Sequence, residues 1–236
     1  MACYLPFNNR NLDISFFVFR PTVVVVEELV EALKHFCICT QTLGCLQTSI
    51  FRSIHGNMII WYGAWTKRSR ENKEILTSAI LSMLTNLSSM AILIEHSFFD
   101  TYAGDSREGS SAAKFCTGDI IFMNITSPST GDINDLSYAN LALFRDRFLK
   151  MEGAISGVCL KCQTIPRVSS LIVWKSLQYC YTWILNSDYR KTILPYLDRF
   201  KLEIRYDIFR VVYACNDHVP NSIHLVPNGE EEKMNM

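Results

Sequence analysis

Cys159-Leu-Lys-Cys162 is the pair whose spacing first suggests chemistry, since two thiols three residues apart can hold a metal or cycle through a disulfide. A structural zinc site needs a second Cys or His pair at a set distance, and Cys37-Ile-Cys39 has the wrong spacing to supply one. A dithiol redox site sits where a strand meets a helix. This pair lies inside a β-rich run, which places the two side chains on opposite faces. Both thiols are therefore expected to pack, and no metal ligand is assigned. Glu95-His96 is an adjacent carboxylate–imidazole pair, and neighbours along a strand point apart. His35, His55, His218 and His224 are scattered. Structural or surface roles are expected for all five, and a Cys–His or Ser–His pair formed in space stays open. Gly104-Asp-Ser-Arg-Glu-Gly109-Ser-Ser lacks the Lys-Ser/Thr of a phosphate loop and the three spaced glycines of a dinucleotide turn. It reads as a connector, with Arg107 and the serines leaving phosphorylation open. No catalytic or cofactor-binding residue is assigned.

Trp61, Trp65, Trp174 and Trp183 stand with Tyr62, Tyr179 and Tyr181 in two aromatic-rich stretches. On an open sheet face such rings stack nucleic-acid bases. RNA-recognition sheets, however, carry a basic-aromatic signature that Trp61-Tyr62-Gly63-Ala64-Trp65 does not match. The four indoles are expected to pack in the core or between repeats. Left exposed, they would mark the docking site of a protein partner, because Trp and Tyr dominate binding hot spots.

The elements that must position these residues come in a repeated order. Leu12 to Phe19 is β-rich and stops before Pro21. Val26, Leu29, Val30, Leu33 and Phe36 recur at helical spacing. Residues 47–54 and 57–65 read as a hairpin about Gly56, Ser69 opens a second helix, and residues 90–99 return as a strand. The order is βαββαβ. Residues 102–117 are small and polar and read as a linker. Strands over 119–125, 158–165, 169–177 and 204–215 and helices over 136–151 and 187–200 then repeat the order, with the strand from Ser169 continuing toward Trp183. Ile59-Ile60-Trp61 matches Ile172-Val173-Trp174, so Trp61 and Trp174 are expected to correspond and to be buried where the halves meet.

A βαββαβ unit is the ferredoxin-like arrangement, an antiparallel sheet covered by helices on one face. Residues 12–19 carry Ile14, Phe16 and Val18 on one side and Phe17 and Phe19 on the other, so the second sheet face must also be covered. The fold class is accordingly α+β, two tandem ferredoxin-like halves packed as a pseudo-dimer. The halves span 1–101 and 118–216, joined by the 102–117 linker and followed by a disordered tail over 217–236.

With 49% hydrophobic against 19% charged residues, the 236-residue chain has the apolar content for a sizeable core and too little charge for disorder. Lys plus Arg and Asp plus Glu both number 23, so no basic excess points to nucleic acid. Near-zero net charge gives little self-repulsion and leaves room for a homo-oligomer. No secretory signal is recognised at the N-terminus, and the stretch from Ile75 to Ile94 is too polar to span a membrane. Nine cysteines without an export signal read as free thiols in a reducing compartment, cytoplasm or nucleus, with neither disulfide nor zinc.

Met1-Ala-Cys-Tyr-Leu-Pro-Phe-Asn-Asn-Arg-Asn-Leu-Asp13 and Ser53-Ile-His-Gly-Asn-Met-Ile-Ile-Trp-Tyr-Gly-Ala-Trp65 resemble an uncharacterised plant family, a domain of unknown function. So do Phe148-Leu-Lys-Met-Glu-Gly-Ala154 and Gly157-Val-Cys-Leu-Lys-Cys-Gln163, which extends the resemblance over residues 1–215. It implies a plant source and carries no activity, cofactor or site residue. The expected function is that of a non-enzymatic protein-interaction or regulatory protein with a protein partner. The alternative is a small-molecule sensor with a ligand pocket between the two halves, and an enzyme of an unfamiliar class comes third.

Overall fold

The computed structural model describes residues 1–128, 133–186 and 202–216. The described elements of the first half are β1 (Ala2–Pro6), β2 (Leu12–Pro21), α1 (Val26–Gln41), β3 (Cys45–Ser53), β4 (Ile59–Thr66), α2 (Arg70–Leu84) and β5 (Ala91–Ser106). The second half follows with β6 (Ala112–Cys116), β7 (Ile120–Pro128), α3 (Ile133–Phe148), β8 (Ala154–Cys162), β9 (Val168–Trp174), α4 (Leu177–Asn186) and β10 (Leu202–Asn216). Local chemistry sets several boundaries. Pro21 ends β2. The β-branched run before α1 stays outside the helix, and Glu27 and Glu28 sit at its positive end. Ser69 caps α2 by accepting a hydrogen bond from the Asn72 amide at 3.3 Å.

Eight strands close into one antiparallel barrel in the order β10-β3-β4-β2-β5-β8-β9-β7. Each half supplies four neighbouring strands, and the last strand of each pairs with the second strand of the other, β5 with β8 and β10 with β3. The structure is thus the α+β pseudo-dimer of two βαββαβ modules that the element order predicts. Period-two alternation sorts the side chains into layers. Ile14, Phe16, Tyr62, Leu171 and Val173 fill the barrel, while Phe17, Phe19, Trp61 and Trp65 meet α1 and α2 on the outside. Phe122, Ile172 and Trp174 do the same beneath α3 and α4. The barrel interior has a third contributor. Strands β1 and β6 pair as a two-stranded ribbon whose Cys3, Leu5, Ala113 and Phe115 join that core.

Three expectations need correction. Residues 102–106 continue β5, and residues 112–116 form β6, so the connector shrinks to the turn between them. Gly104 is there for packing, since a Cβ on it would strike the Phe7 ring and the Gly157 carbonyl. The segment from Leu177 to Asn186 is helix α4, not an extension of β9. Tyr181 on that helix contacts His55 in the β3–β4 turn, tying it to the first half. The third correction concerns the repeat. Trp65 lies opposite Cys45 and Asp13, whereas Trp174 lies opposite Ala154 and Ile120. Cys45 and Ala154 each open the second strand of a half, so the counterpart of Trp174 is Trp65. Trp61 corresponds to Ser170. The expected helix over 187–200 and tail over 217–236 lie outside the described residues.

A buried ionic cluster joins the halves beside the β5–β8 seam. Asp13 is 1% exposed and accepts from Lys67 Nζ at 2.9 Å, Lys73 Nζ at 3.1 Å, Gln163 Nε2 at 2.7 Å and the Arg68 amide at 3.0 Å. Lys67 also pairs with Asp100. Burial by itself raises the Asp13 carboxyl, but the hydrogen bonds from Gln163, Lys67, Arg68 and Lys73 outweigh it and hold the group below its ordinary value. Glu95 and His96 part ways as expected of strand neighbours: Glu95 pairs with Arg167, and His96 stacks on Phe17. Among the described residues, no helix is long and apolar enough to cross a membrane.

Candidate functional site

A narrow cleft opens on the outer face of the second half, between α3 and the sheet, with a cavity volume of about 60 Å³. Its walls are apolar: Phe122 from β7, Ile172 from β9, Leu136, Leu143 and Phe144 from α3, and Trp183 from α4. Two features hold α3 at this height. Gly157 on β8 lets the helix rest close to the strand, since a Cβ there would come within 2.6 Å of the Phe144 ring. Arg107, in the turn after β5, donates to the carbonyls of Phe148 at 3.3 Å, Leu149 at 3.0 Å and Met151 at 2.8 Å, satisfying the open end of α3. The connector expectation had left Arg107 beside a modification site; the structure gives it this capping role instead.

A polar stripe runs through the cleft, with Asn124, Thr126 and Ser170 on the sheet and Asn140 on α3. Asn124 accepts the Ser170 amide at 2.8 Å, and the Ser170 hydroxyl donates to the Asn140 carbonyl oxygen at 3.3 Å. Asn140 donates in turn to the Tyr102 hydroxyl at 2.9 Å, which donates to the Ser137 carbonyl at 3.2 Å. The Cys159 thiol lies 4.0 Å from the Ser170 hydroxyl. Burial pushes the Cys159 thiol up to about 12 and the Tyr102 hydroxyl well above its ordinary value. Both stay neutral at physiological pH. They orient the stripe and are not nucleophiles. Arg147 is the one ionisable residue among the described lining residues.

The barrel registers make the origin of the cleft plain. Phe17 pairs with Trp61 in the first half, and Asn124 pairs with Ser170 at the matching place in the second. Two residues along the strands from this pair, Phe19 has Thr126 as its counterpart. Helices α1 and α3 are both 16 residues long, and aligning them end to end sets Leu33 against Asn140 and Thr40 against Arg147. Phe17, Phe19, Leu33 and Trp61 are all buried in the first half's outer core. Four large apolar residues that seal one half are thus replaced by four polar ones in the other.

The four indoles fall around this asymmetry. Trp61, Trp65 and Trp174 are buried on the helix-covered faces, away from the barrel interior where the halves meet. Strand alternation turns their neighbours Tyr62 and Val173 inward instead. Trp61 Nε1 donates to Cys37 Sγ at 3.3 Å and Trp65 Nε1 to Ser15 Oγ at 2.9 Å, while Trp174 Nε1 has no hydrogen-bond partner among the described residues. Trp183 alone reaches the cleft, packing on Phe122 and Trp174 with ring centroids 5.2 and 5.5 Å away. Cys159 and Cys162 separate onto opposite faces, one under α3 and one in the barrel. All nine cysteines are free thiols. The barrel interior is packed with side chains, so the cavity sits within the second half and not between the halves. Asn124, Asn140, Ser170 and Arg147 escaped the sequence reading. The signal was there, as polar residues interrupting an apolar strand and an apolar helix stripe.

Residues 97–209 match the model of a family described as Domain of unknown function (DUF7392). No match was found among curated proteins. The chain is similar in structure to an anthrone oxidase-like protein, with TM-score 0.67 and 14% identity over 90% of this chain and 96% of that one. A provisionally assigned monooxygenase from Fusobacterium nucleatum subsp. nucleatum gives TM-score 0.59 at 12% identity, covering 88% of this chain and 95% of that one. A heme-binding protein from Thermus thermophilus gives TM-score 0.52 at 6% identity, covering 89% and 92%. At these identities the likeness shows the fold. The expectation of a non-enzymatic, protein-binding chain is corrected by these relatives, which set the fold among oxidase-like and monooxygenase proteins. The plant source finds no support either: the organisms named for these fold relatives are bacteria.

Proposed function

We propose that the protein is an enzyme of the oxidising kind that takes a small, ring-bearing organic molecule into the cleft beneath α3. The observation that carries this is the replacement of Phe17, Phe19, Leu33 and Trp61 of the sealed half by Asn124, Thr126, Asn140 and Ser170 of the open one. Random drift in a core tends to keep apolar character, because an unpaired polar group costs stability. Four polar residues gathered at one place among apolar walls have the make-up of a small-molecule site, which a ligand would widen by lifting α3 from the sheet. The aromatic and aliphatic walls would hold a flat apolar body by dispersion. The side-chain NH2 groups of Asn124 and Asn140 would donate to its carbonyl or phenolic oxygen, with the Ser170 hydroxyl holding the Asn140 amide in place. Donors fixed in a site drawn away from water stabilise the negative charge that develops on such an oxygen when the ring loses a proton to water, before molecular oxygen takes its electrons.

The oxidising class is supported by the fold relatives. Haem, which the Thermus protein binds, does not fit the lining. Haem iron takes a His, a Cys thiolate, a Tyr or a His–Met pair, and the described lining residues supply none of these sets. Free thiols throughout the chain suit an intracellular setting.

The test restores the plug. Ser170→Trp copies the residue of the sealed half and should fill the cleft. A panel of phenolic and quinoid compounds is screened for raising the melting temperature, and hits are followed for oxygen uptake. Hits that stabilise the wild type and lose their effect on Ser170→Trp are expected. Equal stabilisation of both proteins would remove the cleft as the site, and hits without oxygen uptake would remove the oxidising class.

A further inference from the structure

We infer that the molecule held in the cleft is an organic anion, with its apolar rings beneath α3 and its charged group on Arg147. This rests on the cleft being a binding site and adds the electrostatic half of its specificity. Arg147 lines the cleft and also a polar groove between α3 and α4, as does Trp183. The two side chains therefore form the wall where the dry pocket meets the wet groove. A ligand reaching from one to the other places its rings against Phe122, Phe144 and Trp183 and its polar end at the guanidinium.

Two observations give the sign of the charge. Among the described lining residues, no acidic side chain faces the cleft itself, and Arg147 is its one charged group. The groove beyond it is balanced, Asp146 and Glu152 against Arg147 and Lys150, with Asp146 paired to Lys150 at 2.8 Å and also held low by the charge of Arg147, so the sign comes from the cleft side. Finally, the place of Arg147 belongs to the altered set: its counterpart Thr40 is fully buried, its hydroxyl donating to the Cys37 carbonyl at 2.8 Å. A guanidinium at this boundary favours a carboxylate, sulfonate or phenolate through charge-assisted hydrogen bonds.

Two fluorescent probes with the same ring system separate the parts of the claim. Anilinonaphthalene sulfonate carries the negative charge and phenylnaphthylamine does not. Wild type is expected to bind both. Arg147→Gln should weaken the sulfonate about tenfold and the neutral probe by less than about twofold, and Arg147→Lys should recover much of the sulfonate affinity. Ala139→Phe, which fills the mouth of the cleft from α3, should abolish both. In wild type, added salt should weaken the sulfonate alone, a readout that holds even if a variant fails to fold. If Arg147→Gln affects both probes equally or neither, or if salt leaves the sulfonate untouched, the anion assignment falls while the cleft stands. If wild type binds neither probe, or Ala139→Phe retains them, the cleft reading falls and takes the anion with it.

Discussion

Asp13 is the residue on which the two halves are pinned, and its chemistry gives a pH signature. Its carboxyl titrates lower in the folded chain than the value near 3.9 usual for an unfolded Asp. Its contribution to stability is therefore present above that value and is lost as pH falls through the folded pKa. Asp13→Asn should cost about 3 kcal/mol at neutral pH, the lower end for breaking a buried ion pair, because Lys67 keeps Asp100. The cost should shrink toward zero in strong acid. Urea unfolding of both proteins at neutral and acid pH checks this, and parallel acid limbs would sink it. The Asp13 cluster could not be read from the chain, because Lys73 meets Asp13 only when α2 packs on the sheet and Gln163 only across the β5–β8 seam. The two faces of residues 12–19 could be read, because alternation is local.

At the scale of elements, the order of strands and helices was written in the hydrophobic periods, and the exceptions have a common cause. The ribbon strands β1 and β6 are five residues each, and β5 runs on through small residues whose neighbour is the Phe7 ring. Such segments look like loops because their strand character comes from what packs on them. The Trp61–Trp174 match went astray by following identical letters, where strand register pairs Trp174 with Trp65. The seating of α3 on Gly157 can be tested directly. Gly157→Ala puts a methyl within 2.6 Å of Phe144, and that ring stacks on Phe148 at 5.2 Å and has little room to yield. The variant should lose about 1–3 kcal/mol, as overpacked cores do, with faster amide exchange confined first to α3. Uniform acceleration across the barrel, or no change in stability, would show that the helix is not seated this way.

The whole molecule is a ring of eight strands in which neither half is closed alone. Removing the first half leaves β8 and β10 each without one neighbour and bares the barrel-facing side of the sheet. Residues 118–216 expressed alone should therefore self-associate, with β10 of one copy against β8 of the other, repeating the join seen within the chain. Light scattering after size exclusion should give a dimer. A monomer that unfolds cooperatively would mean that the halves are independent domains. In the full chain those edges are already paired, so closure by this route is complete within one molecule.

The uneven filling of the two halves also fixes how the molecule handles light. Trp61 and Trp65 form one indole pair, centroids 6.1 Å apart, sealed beneath α1 and α2, while Trp174 and Trp183 form another at 5.5 Å with one ring on the cleft. Emission from the first pair should stay constant as the cleft is occupied, and emission from the second should shift or quench. The chain therefore carries its own reference signal beside its own reporter, with no label needed to follow occupancy.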